Sequence, residues 1–138
     1  MKNIIIALLI NFIFSAEWGI DTTHSYIKYT GNHTLHSWEG VSKNIDFSLS
    51  CDDNDRCSLN ISTPLESLGS GNDSRDSNML WYTESLKYPR VSFTSKNFKY
   101  SGGIDTSIEL EGDIAFHGMK KAVPVTITLT NNSDGLWG

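Results

Sequence analysis

The sequence predicts an all-β domain, an antiparallel sheet curled into a β-barrel with one short helical insertion, and three observations carry that reading. The first is an alternation over residues 104–116. Ile104, Thr106, Ile108, Leu110, Gly112, Ile114 and Phe116 share one parity, while Asp105, Ser107, Glu109, Glu111, Asp113 and Ala115 share the other. Side chains of an extended chain point to opposite faces at every second residue, so one face of this strand is nearly all apolar and the other acidic or small. At about 3.3 Å per residue such a strand reaches roughly 40 Å, which suits a curled sheet or tilted barrel better than a small sandwich, and Gly112 permits a bend. The second observation is that the remaining alternating runs follow one another across turn residues, with no βαβ rhythm. The third is a break in that rhythm over residues 64–90, where a helical pattern intervenes.

Taken in order, a first strand covers residues 25–30, with Ile27 and Tyr29 on one face, and residues 31–40 are mixed, holding His33, His36 and Trp38. A hairpin follows over residues 44–51 and 57–63. Ile45, Phe47, Leu49 and Cys51 share a parity on the outgoing arm, and Cys57, Leu59, Ile61 and Thr63 share one on the return, around the polar loop Asp52, Asp53, Asn54, Asp55, Arg56. The two cysteines then face each other on the apolar side, close enough to bond, and closing so short a loop stabilises by about 2 kcal/mol on the chain-entropy model. Pro64 ends the second arm because it has no amide hydrogen to give to a ladder.

Leu68, Gly69, Ser70, Gly71 and Asn72 read as a loop, after which Asp73 or Ser74 caps a short helix running through Met79, Leu80 and Trp81. Thr83 caps a second turn carrying Leu86, and Pro89 stops it, so the segment is a lid or crossover. Strands resume over residues 91–100, turn at Ser101, Gly102 and Gly103, run the long strand, turn at Gly118 and finish over residues 123–130. There Val123, Val125, Ile127 and Leu129 alternate with Pro124, Thr126, Thr128 and Thr130. The resulting six strands fall short of the eight or so of a small ligand-holding barrel, and residues 131–138 look like a turn leading into something further. The expectation is a barrel lacking its last strands.

A chain of 138 residues is long enough for one domain with a hydrophobic core. Its first segment stands apart from that core. Met1, Lys2 and Asn3 lead into an apolar run from Ile4 to Phe14, interrupted by Asn11 and closed by Ser15, Ala16 and Glu17. That is the layout of a secretory signal peptide, and the run is far short of the roughly 20 apolar residues of a bilayer-spanning helix. We assign residues 1–16 to the signal and 17–138 to the β domain, with cleavage after Ser15, Ala16 or Glu17 left open and no stable membrane span after its removal. Export places the protein in the periplasm or outside the cell, where cysteines oxidise. Losing Lys2 with the signal moves the net charge from −5 to −6, which argues against nucleic acid as a partner. The one dense basic pair, Lys120 and Lys121, reads as a solvated turn.

Three stretches carry more specific patterns. Near the start stand Trp18, Ile20, Asp21, His24, Ser25, Ile27 and Tyr29, followed by His33 and Gly40. In the middle come Ser74, Arg75, Asp76, Asn78, Met79 and Leu80, then Tyr88, Pro89, Val91, Ser92, Phe93 and Ser95. Late in the chain come Gly112, Ile114, His117, Gly118, Lys120, Val123 and Val125. Together, over residues 18–130, these resemble the YceI-like family of exported, lipocalin-like proteins that bind polyisoprenoids and related lipids. The middle stretch looks like the family's Arg-Asp helix followed by its Tyr-Pro approach to a strand, although Asn78 stands where the family commonly has His. The family continues with further strands that complete its barrel.

The resemblance implies an antiparallel lipocalin-like β-barrel, C-terminally incomplete in this chain, that sequesters or carries an isoprenoid-type lipid without catalysis or cofactor. An aliphatic and aromatic inner face is a site for a long apolar chain. By parity the lining is Ile45, Phe47, Leu49, Phe93, Leu110, Ile114, Phe116, Val125 and Ile127. Arg75 and Asp76 either hold the helix on the barrel by an ion pair to its rim or touch a lipid head group, the first being favoured because adjacent helical residues point in different directions. Tyr88 and Pro89 shape the start of the next strand.

An enzyme needs a nucleophile with a base, paired carboxylates in a cleft, or a metal, and the chain has neither GxSxG nor HExxH. His24, His33 and His36 would be the ligands of a zinc-binding exported protein, but in β structure a separation of three places His33 and His36 on opposite faces, so no metal is expected. The other reading is an exported structural or adhesive β domain with a filled core and no ligand. Homo-oligomerisation is left open.

Overall fold

The computed structural model describes residues 20–100, 106–132 and 135–137. The expected signal segment, with Ile104 and Asp105 of the long strand, lies outside them. The described strands are β1 (Ile27–His33), β2 (His36–Ser42), β3 (Asp46–Cys51), β4 (Arg56–Pro64), β5 (Arg90–Ser95), β6 (Phe98–Lys99), β7 (Thr106–Phe116), β8 (Met119–Asn132) and β9 (Gly135–Trp137), with one α-helix, α1 (Asp73–Tyr82), between β4 and β5. Every pairing is antiparallel. β1 and β2 make a two-stranded sheet; the others form a sheet of order β3-β4-β5-β7-β8-β9 with β6 beside β4. Among the described residues no pairing joins β3 to the far edge, so the sheet is not closed into a ring.

Residues 31–40, expected to be mixed, form a hairpin: β1 runs to His33 and β2 returns from His36 across Thr34 and Leu35. The pattern was hidden because β2 is patterned against hydropathy. Gly40 and Ser42 are buried while Val41 is exposed. The rings explain this. Tyr29 lies opposite Gly40 and Trp38 opposite Gly31. A Cβ on Gly40 would come within 2.0 Å of the Tyr29 ring, and one on Gly31 within 2.4 Å of Trp38. Glycine here supplies the seat for an aromatic neighbour on the facing strand.

The cysteine hairpin forms with the expected register, Phe47 opposite Ile61, Leu49 opposite Leu59 and Cys51 opposite Cys57, and a disulfide joins the two cysteines. Asp52 organises its loop by accepting the amide hydrogens of Asn54 at 2.9 Å and Arg56 at 3.0 Å. These bonds, that of Arg56 foremost, hold its carboxyl below the usual aspartate range.

The strand expected over residues 91–100 is interrupted. Asn60 of β4 faces Thr94 but Cys57 faces Phe98, so three steps along β4 match four on the other strand. The extra residue is a β-bulge, and it restores Phe98 to the face that carries Phe93. At the break the Leu59 amide donates to the Ser95 hydroxyl at 2.8 Å. The turn between β7 and β8 consists of His117 (φ 49°) and Gly118 (φ 72°), the left-handed pair of a type I′ hairpin. This tight closure starts β8 at Met119, four residues earlier than expected, and places Lys120 and Lys121 in a strand, exposed, rather than in a turn. Pro124 sits within β8, whose outer edge is paired, among the described residues, at 130–132 alone, as suits a proline in a ladder.

Asn72, rather than Asp73 or Ser74, is the N-cap of α1, accepting the Arg75 amide hydrogen at 2.9 Å. Thr83 closes this helix instead of opening another, its hydroxyl donating to the Met79 carbonyl at 2.8 Å. The two sheets meet at buried hydroxyls. Thr63 Oγ1 lies 2.9 Å from Ser42 Oγ, 2.7 Å from the Asn44 carbonyl and 3.2 Å from Ser67 Oγ, and Ser42 Oγ lies 2.6 Å from Ser67 Oγ. The buried apolar residues among those described are Leu59, Leu65, Leu68, Leu110 and the bonded Cys57.

Two outcomes follow for stability. Thr63→Val leaves the Asn44 carbonyl and Ser42 hydroxyl short of a partner in a buried site, and urea unfolding should read a loss of about 1 to 3 kcal/mol, against little change for Ser50→Ala, whose bond to Ser58 is exposed. Replacing Cys51 and Cys57 together by Ser should cost about 2 kcal/mol in the same measurement.

Candidate ligand-binding site

Directly opposed residues of an antiparallel ladder share a face. Phe47 faces Ile61, Ile61 faces Phe93, Phe93 faces Ile114 and Ile114 faces Lys121, one row across five strands. Leu110 opposite Val125 and Ile108 opposite Ile127 continue the same face along β7 and β8. Eight of the nine expected lining residues therefore lie on one side of one sheet, and Ile45 stands just before β3 at the same parity. Leu110 is buried, and Ile45, Phe47, Leu49, Phe93, Val125 and Ile127 are half-buried. Ile114 and Phe116, near the His117 turn, are 36% and 41% exposed. A shallow depression of about 200 Å³ on the same strands is lined mainly by residues of the outward parity, Asp46, Ser48, Asn60, Ser62, Ser92 and Thr94, together with Phe47, Ile61 and Phe93. The outward face of β7 carries Glu109, Glu111 and Asp113, all exposed, with Glu111 paired to Lys96 at 3.0 Å.

Ile61, Ile108 and Val123 belong to this face too, and parity alone was enough to include them. Lys121 joins it through the type I′ turn, which sets the register. The centre of the wall is the Phe93 ring laid across Gly112, where a Cβ would come within 2.6 Å of the ring and 2.4 Å of the Thr94 carbonyl.

The hairpin β1-β2 extends this wall. Ser42 shares its face with Gly40 and Trp38, and Thr63 shares its face with Ile61 and Leu59; their hydroxyls are bonded, so the two faces meet at this point. Between the hairpin and α1 lies a cleft of about 580 Å³. Tyr29 and Trp38 line one wall, and Arg75, Asn78, Met79 and Tyr82 the other. The latter spacing of three and four defines one helical face. The Arg75 guanidinium carbon sits 5.1 Å above the Trp38 ring, a cation–π contact.

Asp76 points elsewhere, its carboxylate accepting the Ser70 amide hydrogen at 3.1 and 3.0 Å. The expected ion pair from Arg75 and Asp76 to the rim is thus replaced by a ring contact and a backbone clasp. An aromatic partner for Arg75 lay in the β2 segment whose strand character was hidden. Tyr88 and Pro89 shape the start of β5 as expected. The Tyr88 ring packs on Gly118 and meets His117 edge-on at 5.7 Å, and the Pro89 carbonyl accepts the Leu65 amide at 2.9 Å. Glu84, in turn, bonds His117 Nε2 at 2.7 Å.

His33 and His36 are not on opposite faces. The two-residue turn makes them direct partners, with ring centroids 5.5 Å apart. His24 is bonded to the Asp21 carboxylate, which that bond holds below its ordinary range. Among the described residues no group of three or more His, Cys, Asp or Glu side chains is placed to hold a metal ion.

Such a fold, antiparallel and mostly β, with one long apolar face and a single helix beside it, defines the class of protein. The YceI-like domain pattern matches residues 18–136, and the chain belongs to that family. It is 24% identical over 131 residues to protein YceI of Escherichia coli, covering 90% of this chain and 67% of that one. With the UPF0312 protein of Pseudomonas putida it shares 31% identity over 133 residues, with the same coverage; the chain thus spans about two thirds of these relatives' length. Among solved structures it resembles Burkholderia cenocepacia BcnA, with TM-score 0.69 and 18% identity over 83% of this chain and 74% of that one. It also resembles a polyisoprenoid binding domain from Saccharophagus degradans implicated in plant cell wall breakdown, with TM-score 0.59 and 15% identity over 78% and 63% of the two chains.

Gly112→Ala tests the wall directly: the added methyl must displace Phe93 or the Thr94 backbone, and thermal or urea unfolding should record about 1 to 3 kcal/mol of destabilisation.

Proposed function

We propose that this protein binds an isoprenoid-type lipid and sequesters or carries it, without catalysis, in the periplasm or outside the cell. The observation that carries the proposal is the apolar row Phe47, Ile61, Phe93, Ile114, which crosses four strands and remains partly open to solvent. A filled structural core would bury these side chains. A prenyl tail that removes about 300 Å² of apolar surface from water gains roughly 7 kcal/mol before the costs of association. The family resemblance and the polyisoprenoid-binding neighbour support the same ligand class. The Cys51–Cys57 bond supports an oxidising compartment.

In this reading the sheet is one wall of a lipocalin-like barrel. Among the described residues the outer edge of β8 up to Leu129 has no partner strand, and β9 pairs with β8 at residues 130–132.

Organic extraction of the purified protein followed by mass spectrometry should yield a prenyl-chain lipid, and an empty extract from protein that also fails to take up added polyprenol overturns the proposal. Phe93→Asp puts an unpaired charge into the row and should lower polyprenol affinity at least tenfold. Thr94→Asp, on the exposed opposite face, should leave it unchanged.

A further inference from the structure

We propose that the cleft between the β1-β2 hairpin and α1 is a head-group subsite for an anionic oxygen group of the phosphate class, carried on the lipid whose tail lies along the sheet. This rests on the lipid reading above and adds the chemistry of the ligand's polar end.

Three features of the cleft converge on that chemistry. The Tyr29 hydroxyl, on its inner wall, is shielded from solvent and has no hydrogen-bond partner among the described residues. Buried hydroxyls are nearly always satisfied, so an orphan at the wall of a cleft is a place for a ligand atom. Arg75 on the facing wall has no carboxylate partner among the described residues. Its neighbour Asp76 is committed to the Ser70 amide, and the contact of Arg75 with Trp38 engages its charge and leaves its N–H groups available. Among the described residues no Asp or Glu lines the cleft; its polar side chains include Tyr29, Arg75 and Asn78, all able to donate. In a chain of net charge −5, a walled arginine without an acid is a site for an anion, and the guanidinium fork matches the geometry of phosphate oxygens.

The walls account for the rest of the ligand. Trp38, Met79 and Tyr82 give the cleft apolar sides, unlike a site for a free, fully hydrated anion. The Ser42–Thr63 contact brings the hairpin against the sheet that carries the Phe47–Phe93 row, so a head at Arg75 and a tail on the sheet would lie on adjoining elements.

The test compares a prenyl monophosphate with the corresponding prenol and with inorganic phosphate, by calorimetry on the full chain. Wild-type protein should bind the prenyl phosphate about tenfold or more tightly than the prenol. Arg75→Gln should abolish that difference while leaving prenol affinity as it was, Arg75→Lys should restore part of it, and Tyr29→Phe should reduce it severalfold. Equal wild-type affinity for phosphate and prenol, or a preference that survives Arg75→Gln, overturns the subsite and leaves the lipid reading standing. Inorganic phosphate binding as tightly as the prenyl phosphate overturns the link to a lipid. Failure of both prenyl compounds to bind overturns the lipid reading and this inference with it. Unchanged thermal midpoints of the variants distinguish loss of contact from loss of fold.

Discussion

Three hydroxyls decide where the two sheets meet. Ser42 at the end of β2, Thr63 near the end of β4 and Ser67 in the 3-10 turn after it gather around the Asn44 carbonyl, and Ser67 also donates to the carbonyl of Pro64 at 2.7 Å. Each is short and strongly directional, and none tolerates burial without a partner. Through them the aromatic face of the small hairpin is set beside the apolar face of the large sheet. A hydrophobic junction of the same size would have resisted separation equally well, but would have fixed the relative orientation of the two faces less tightly.

That orientation organises everything downstream. The helix is held at its start by the Asp76 clasp on Ser70 and the Asn72 cap, and the segment after it is held by Glu84 on His117 at the β7-β8 turn. Between these ties its inward residues face Tyr29 and Trp38 across an open cleft. The sheet provides length and apolar surface, and the helix and hairpin provide polar and aromatic groups near one part of it. A ligand with a long apolar body and a distinct polar end fits this division of labour.

Much of this was legible in the residues. Strict alternation over Ile108, Leu110, Ile114 and Phe116, and over Phe47, Leu49 and Cys51, identified the strands of the apolar wall and the disulfide hairpin, because period-two burial leaves a direct imprint. The family motifs likewise pointed to the matching family. What escaped was written in other terms. β2 was obscured since its inward positions are Gly40 and Ser42, chosen to accommodate rings and hydroxyls rather than for hydropathy. The contact of Arg75 with Trp38 escaped for the same reason. The pairing of His33 with His36 depended on a turn of two residues at Thr34 and Leu35, neither a usual turn former, and β8 began early because His117 adopts the left-handed conformation beside Gly118.

The extra residue between Ser95 and Phe98 gives the sheet a reading frame. Upstream of it odd numbers point inward on that strand, and downstream even numbers do. Removing a single residue there would match three steps with three, a regular ladder in which Phe98 still lies opposite Cys57. Loss of one amino acid at this joint therefore takes away the local bend and added twist of the strand while leaving its lining residues in place. The spare residue accordingly serves the curvature of the wall where β5 gives way to β6.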